Sequence, residues 1–162
     1  MVVMMILVSA LAAQDPATHH VRTTDPKIRE LFDAGMSRSA TFRRLVDLLD
    51  HSDVIVYAEP KMARQALGGY LSHSIVRGGD YRYVHIAVDA RGASGRLVPL
   101  LAHELQHAIE IAQHPEVRDA LSVEQLFDRL AITFGCGSTT CSETQAAKDV
   151  EATVNAELKA TR

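Results

Sequence analysis

Pro99-Leu100-Leu101-Ala102-His103-Glu104-Leu105-Gln106-His107-Ala108-Ile109-Glu110 is an apolar helical segment interrupted by chemically capable side chains. Leu101, Leu105, Ala108 and Ile109 recur at helical spacing. His103 and His107 are four residues apart, so on a helix they project from one face about one turn apart. Two imidazoles so placed can take two corners of a tetrahedral Zn2+ site while the metal stays outside the helix. Glu104 points to the side of the pair. There it can accept a proton from a water on the metal without becoming a ligand itself. The competing reading is an amphipathic helix with two surface histidines and a surface Glu. The apolar flanks on both sides and a candidate edge strand upstream favour the metal.

A catalytic zinc needs a third protein ligand and an open position for water. Glu110 lies seven residues from His103, about 10 Å along the axis, too far to share one metal with it. His114 is farther still. The ligand must come from another element, and the last predicted helix offers Glu143 and Glu151. Glu143 is preferred, because it follows Cys141 by two residues and a Cys136–Cys141 disulfide would fix its position. Glu151 sits near Asp149 and Glu157 and reads as part of a solvated face; Asp149 is weaker again. Thr144 could support the site, although spacing alone assigns it nothing.

Working back from this helix, Gly69 to Val76 and Tyr81 to Val88 flank Arg77-Gly78-Gly79-Asp80, a hairpin signal. In the second run Tyr81, Tyr83, His85 and Ala87 fall on one face. Arg82, Val84, Ile86 and Val88 fall on the other, which should meet the core. Val54-Ile55-Val56-Tyr57 is a short strand. Asp25-Pro26 opens a helix that should stop near Gly35, and a second helix runs from about Ser39 to Leu49. Ser122 and Ser142 each begin a capping pattern, for helices ending near Gly135 and Leu158. Helices, a small antiparallel sheet, then helices again make an α+β fold.

The segment MVVMMILVSALAA, residues 1–13, has the length and small-residue ending of a signal peptide, although no basic residue precedes its apolar run. It is too short to span a bilayer, which takes roughly 20 apolar residues. The expected organisation is therefore a signal peptide over 1–13, a linker over 14–24 and one domain over 25–162, exported without a stable transmembrane anchor. With 162 residues, 47% of them apolar, the chain can bury one real core. Its net charge is −3, and its densest basic group, Arg38, Arg43 and Arg44, lies beside Asp47 and Asp50. Nucleic-acid binding therefore has no electrostatic footprint. The absence of a GxGxxG or GxxxxGK loop removes support for nucleotide chemistry.

His103-Glu104-Leu105-Gln106-His107-Ala108-Ile109-Glu110 followed by Glu143-Thr144-Gln145-Ala146 resembles the two-helix signature of small gluzincin-type zinc metallopeptidases. The wider chain, about Ile28 to Leu158, resembles a group of exported bacterial proteins of uncharacterised function. The shared parts are the Arg38-Ser39-x-Thr41-Phe42-Arg43 helix, the Ser52-to-Tyr57 strand and the strand before the two histidines. The resemblance implies a zincin-like fold, with His103, His107 and Glu143 holding Zn2+ and Glu104 activating water for amide hydrolysis of a peptide or protein substrate. The N-E-x-x-S-D pattern of better-known gluzincins is missing from the last helix. Substrate would lie along the strand near Tyr83 and His85, and Tyr57, Tyr70, Tyr81, Tyr83, His73 and His85 are all eligible to stabilise an oxyanion. The alternative is a non-catalytic exported module that keeps the fold and binds a partner.

Overall fold

The computed structural model describes residues 19–61, 68–91, 94–132, 134–136, 139–141 and 143–161. For residue 94 and for the strands 134–136 and 139–141 it describes the backbone alone. The expected signal peptide lies outside the described residues. So do the side chains of Cys136 and Cys141, and with them the expected disulfide.

The elements run β1 (Val21–Arg22), α1 (Pro26–Arg38), α2 (Ala40–Asp50), β2 (Val54–Pro60), β3 (Gly69–Leu71), β4 (Val76–Gly78) and β5 (Tyr81–Val88). They continue with α3 (Ser94–Ala112), α4 (Ala120–Leu130), β6 (Phe134–Cys136), β7 (Thr139–Cys141) and α5 (Gln145–Ala160). The fold is α+β. Among the described residues, no helix is long and apolar enough to cross a membrane.

The sheet is mixed rather than antiparallel. β1 pairs parallel with β2, and β2 pairs parallel with β5 along its whole length, from Val54 opposite Arg82 to Pro60 opposite Val88. β3 and β4 share the far edge of β5, both antiparallel to it. The difference has a non-local cause. A hairpin is legible from its turn, but the direction in which β2 meets β5 depends on how the intervening chain returns. The segment expected as one strand from Gly69 to Val76 is broken by residues 72–75 into two strands. The turn is tight, with Gly78 opposite Tyr81 and Gly79 at φ 60°, a left-handed conformation that glycine adopts without cost. One consequence matters for function: β5 is a central strand, and β3 is the edge strand nearest α3.

The core lies on one side of this sheet. Val54, Val56 and Ala58 of β2 and Val84, Ile86 and Val88 of β5 point into it. Leu101, Leu105 and Ile111 of α3 and the apolar faces of α1, α2, α4 and α5 meet them there. The alternation expected for β5 is observed, with Tyr83 and His85 on the opposite face.

Helix ends explain the remaining differences. Asp25 caps α1 through bonds from Lys27 and Ile28, as its Asp-Pro start requires. The helix does not stop at Gly35. Instead Gly35 is buried under Phe42, and a Cβ there would come within 2.7 Å of the ring, so this glycine serves a close approach. α4 starts earlier than expected: Asp119 is the cap and Ser122 its reciprocal N3 partner, and the helix ends at Leu130. α5 is capped by Thr144 rather than Ser142. Pro99 sits in the second turn of α3. Part of the expected linker is structured as well, since Val21 is buried in β1 and the His20 backbone donates to Asp50 at 2.7 Å.

Two polar clamps hold α3 and α5 in place. Arg82, buried on β5, donates to Asp53 through Nε and one terminal nitrogen, both at 2.7 Å. Its other terminal nitrogen donates to the carbonyls of Ile111, His114 and Val117 at 3.0, 2.8 and 2.8 Å. It thereby satisfies carbonyls left open at the end of α3 and in the turn that follows. At the far end of α5, Glu157 accepts from the Ser39 hydroxyl and from the backbone N–H (3.1 Å) and hydroxyl (2.9 Å) of Thr41. Arg38 returns a bond to the Leu158 carbonyl at 2.6 Å. Glu157, grouped with a solvated face in the sequence, is thus the anchor that docks α5 on the start of α2. The Arg38-Ser39-x-Thr41 motif is its receptor.

Candidate metal centre

α3 packs against α5 and carries His103 and His107 on that side, with imidazole centroids 4.9 Å apart. Both are buried, as is Glu104. Glu143, the residue before the Thr144 cap of α5, reaches across so that its Oε1 lies 3.0 Å from His103 Nε2. His103, His107 and Glu143 each offer a ligand atom, and these atoms all lie within 4.8 Å of one another. A tetrahedral zinc with bonds of about 2.0–2.1 Å needs ligand atoms about 3.3 Å apart, so a small inward adjustment suffices. A donor set of two imidazoles and one carboxylate suits that ion.

The outer nitrogens of both imidazoles are held. His107 Nδ1 donates to Glu110 Oε2 at 2.8 Å, and His103 Nδ1 donates to Glu151 Oε2 at 3.0 Å. Such bonds fix ring orientation and leave each Nε2 as the nitrogen free to ligate. Glu110 and Glu151, weighed in the sequence only as ligands, take this supporting position instead. Glu110 also accepts from the Thr144 hydroxyl at 2.6 Å, and the same hydroxyl accepts the Ala147 N–H at 3.1 Å. One threonine therefore caps α5, braces the partner of His107 and sets the residue beside it, Glu143, over the two histidines. Asp149, the weakest candidate ligand, lies on the exposed face and accepts from Gln145 at 2.7 Å.

Electrostatics follow the burial. Desolvation raises the Glu104 carboxyl to about 7. His107 opposes that rise, Glu143 and Glu151 reinforce it, and Lys61 opposes it weakly. A divalent cation beside Glu104 would pull the value back down. For His107, burial alone would lower the pKa, but the Glu110 hydrogen bond and charge outweigh it and the net shift is upward.

Several neighbours were not legible in the sequence. A Cβ on Gly69 of β3 would lie 2.7 Å from Glu104 Oε1, so the edge strand passes directly over the candidate base. Lys61, buried at the end of β2, stands 5.9 Å from the ring centre of Tyr70 on that edge. Phe127 of α4 meets His107 edge-on at 5.2 Å and stacks with His73 at 6.2 Å. The six candidate oxyanion donors are thereby separated. Tyr57, Tyr83 and His85 stack together on the sheet face away from the helices, and Tyr81 packs there against His20. Tyr70 lies on the edge strand, and His73, just beyond that strand, contacts a side chain that itself touches the cluster. Only the i+3 spacing of His107 and Glu110 carried a signal, since residues so spaced share a helix face.

The chain matches no protein-family model, no curated protein and no solved structure. Geometry alone carries the functional argument.

Proposed function

We propose that this protein is an exported zinc-dependent peptidase-like hydrolase with a zincin-like site of the gluzincin type. The observation that carries the reading is the convergence of His103, His107 and Glu143, with both Nδ1 atoms already held by carboxylates and Glu104 buried alongside. A zinc ion held there would supply Lewis acidity toward a carbonyl and toward water. Glu104, second in the motif, takes the proton from the attacking water and passes it to the leaving amine. Its burial keeps bulk solvent from competing for that proton.

Substrate enters along β3 rather than β5. β5 is paired on both sides, whereas β3 bonds β5 on one side, and no strand covers its other edge among the described residues. An extended peptide added to that edge would pass Gly69, whose lack of a side chain lets the strand backbone approach the buried Glu104 carboxylate closely. Of the eligible donors we assign the oxyanion to His73, which is exposed and stacks on Phe127, the ring that meets His107.

The test is a peptide-library digest by the zinc-loaded chain and its Glu104→Gln variant. Cleavage by the wild type, lowered at least about 100-fold in the variant with zinc retained, is the expected outcome. Zinc binding with no cleavage of any library member would favour a non-catalytic binding module instead.

A further inference from the structure

A cavity of about 580 Å3 lies on the other side of the sheet from Glu104. That size suits a small organic ligand. Its floor is a straight row of side chains across three strands: Arg22 stands opposite Tyr57, and Tyr57 stands opposite His85. The Tyr57 and His85 rings stack at 5.5 Å with planes 21° apart, and Tyr83 continues the stack at 6.3 Å. Arg29 of α1 forms a wall, held by a bond to the Thr23 carbonyl at 3.1 Å. Glu59 at the rim lies 3.7 Å from His85 Nδ1.

Arg22 is the informative residue. Its Nε is buried and makes no hydrogen bond among the described residues. A desolvated N–H without an acceptor costs folding free energy, and native chains rarely keep one without a reason. Arg82, two strands away on β5, shows the saturated alternative, with all three guanidinium nitrogens bonded. Two guanidinium groups beside one carboxylate leave the cavity net cationic, and the fork of Arg22 suits an oxyanion.

We propose that this cavity is a second binding site, separate from the metal centre, for a small organic anion carried on a flat aromatic body. Arg22 and Arg29 hold the carboxylate or phosphate group. The Tyr57–His85 stack receives the ring, whose contact with aromatic side chains adds affinity that a bare anion lacks.

The test is a two-dimensional amide NMR titration of the full chain with phenyl phosphate and, separately, with inorganic phosphate. Saturable shifts at Arg22, Thr23, Tyr57 and His85 are expected, with phenyl phosphate bound at least tenfold more tightly than inorganic phosphate. Arg22→Met should weaken phenyl phosphate at least tenfold, and Glu143→Ala should leave it unchanged. If Arg22→Met gives the spectrum of an unfolded chain, Arg29→Met carries the same test. Absence of saturable shifts at these residues, equal affinity for the two anions, full binding in the arginine variants, or loss of binding in Glu143→Ala would each overturn the proposal.

Discussion

Two buried polar clusters sit on α3, and they are built to different ends. At the C-terminus, Arg82 spends every guanidinium nitrogen on Asp53 and on backbone carbonyls. In the middle, His103 and His107 bond Glu151 and Glu110 through their outer nitrogens and turn the inner ones toward Glu143. A saturated cluster stabilises a helix end and can do little else. A cluster whose supporting bonds are complete while its central donor atoms converge on one point is arranged to receive something. The comparison separates architecture from chemistry on a single helix.

Breaking the first cluster should have the largest effect. Arg82→Met strands Asp53 and reopens the carbonyls of Ile111, His114 and Val117, and should cost about 3 kcal/mol in urea unfolding. Zinc affinity measured below the unfolding transition should change little, because the histidines are held independently. In the second cluster, Glu110→Gln should weaken zinc about 10–100-fold, since it disturbs both the His107 Nδ1 bond and the bond from Thr144. Glu151→Gln should weaken it less than about tenfold, because the Glu151 side chain is 45% exposed and water can replace its bond to His103. Competition titration against a chelating dye reads both variants. A Glu151 effect larger than that of Glu110 would invert the proposed order of support.

The smallest effect is an acid limb. The hydrogen bond from Arg82 holds the Asp53 carboxyl below its usual range, partly opposed by burial. A depressed carboxylate contributes stability above its unfolded pKa and loses it as pH falls through the folded value. The stability difference between wild type and Asp53→Asn should therefore be constant near neutrality and shrink below about pH 4. Because the Asp53 side chain is 41% exposed, its pH-dependent part should stay under about 1 kcal/mol.

The contrast also marks what one dimension of sequence can carry. His103, Glu104 and His107 were legible because their geometry is set by helical spacing alone. Glu143 was legible at one remove, by excluding residues of α3 that lie too far along its axis. The pairing direction of β2 and β5 was not, since parallel and antiparallel strands read alike when their contact is remote. Glu157 and Arg82 were not, because a charged residue on a regular face gives no sign of the distant helix end that will bury it. Gly69 over Glu104 left no local trace at all.

The measurement that bears most directly on the central claim is zinc stoichiometry by elemental analysis of the purified wild type and the Glu143→Ala and Glu151→Ala variants. One zinc per chain in the wild type, lost in Glu143→Ala and kept in Glu151→Ala, is the predicted result. A wild type that binds no zinc, or a pair of variants with the opposite outcome, would contradict it.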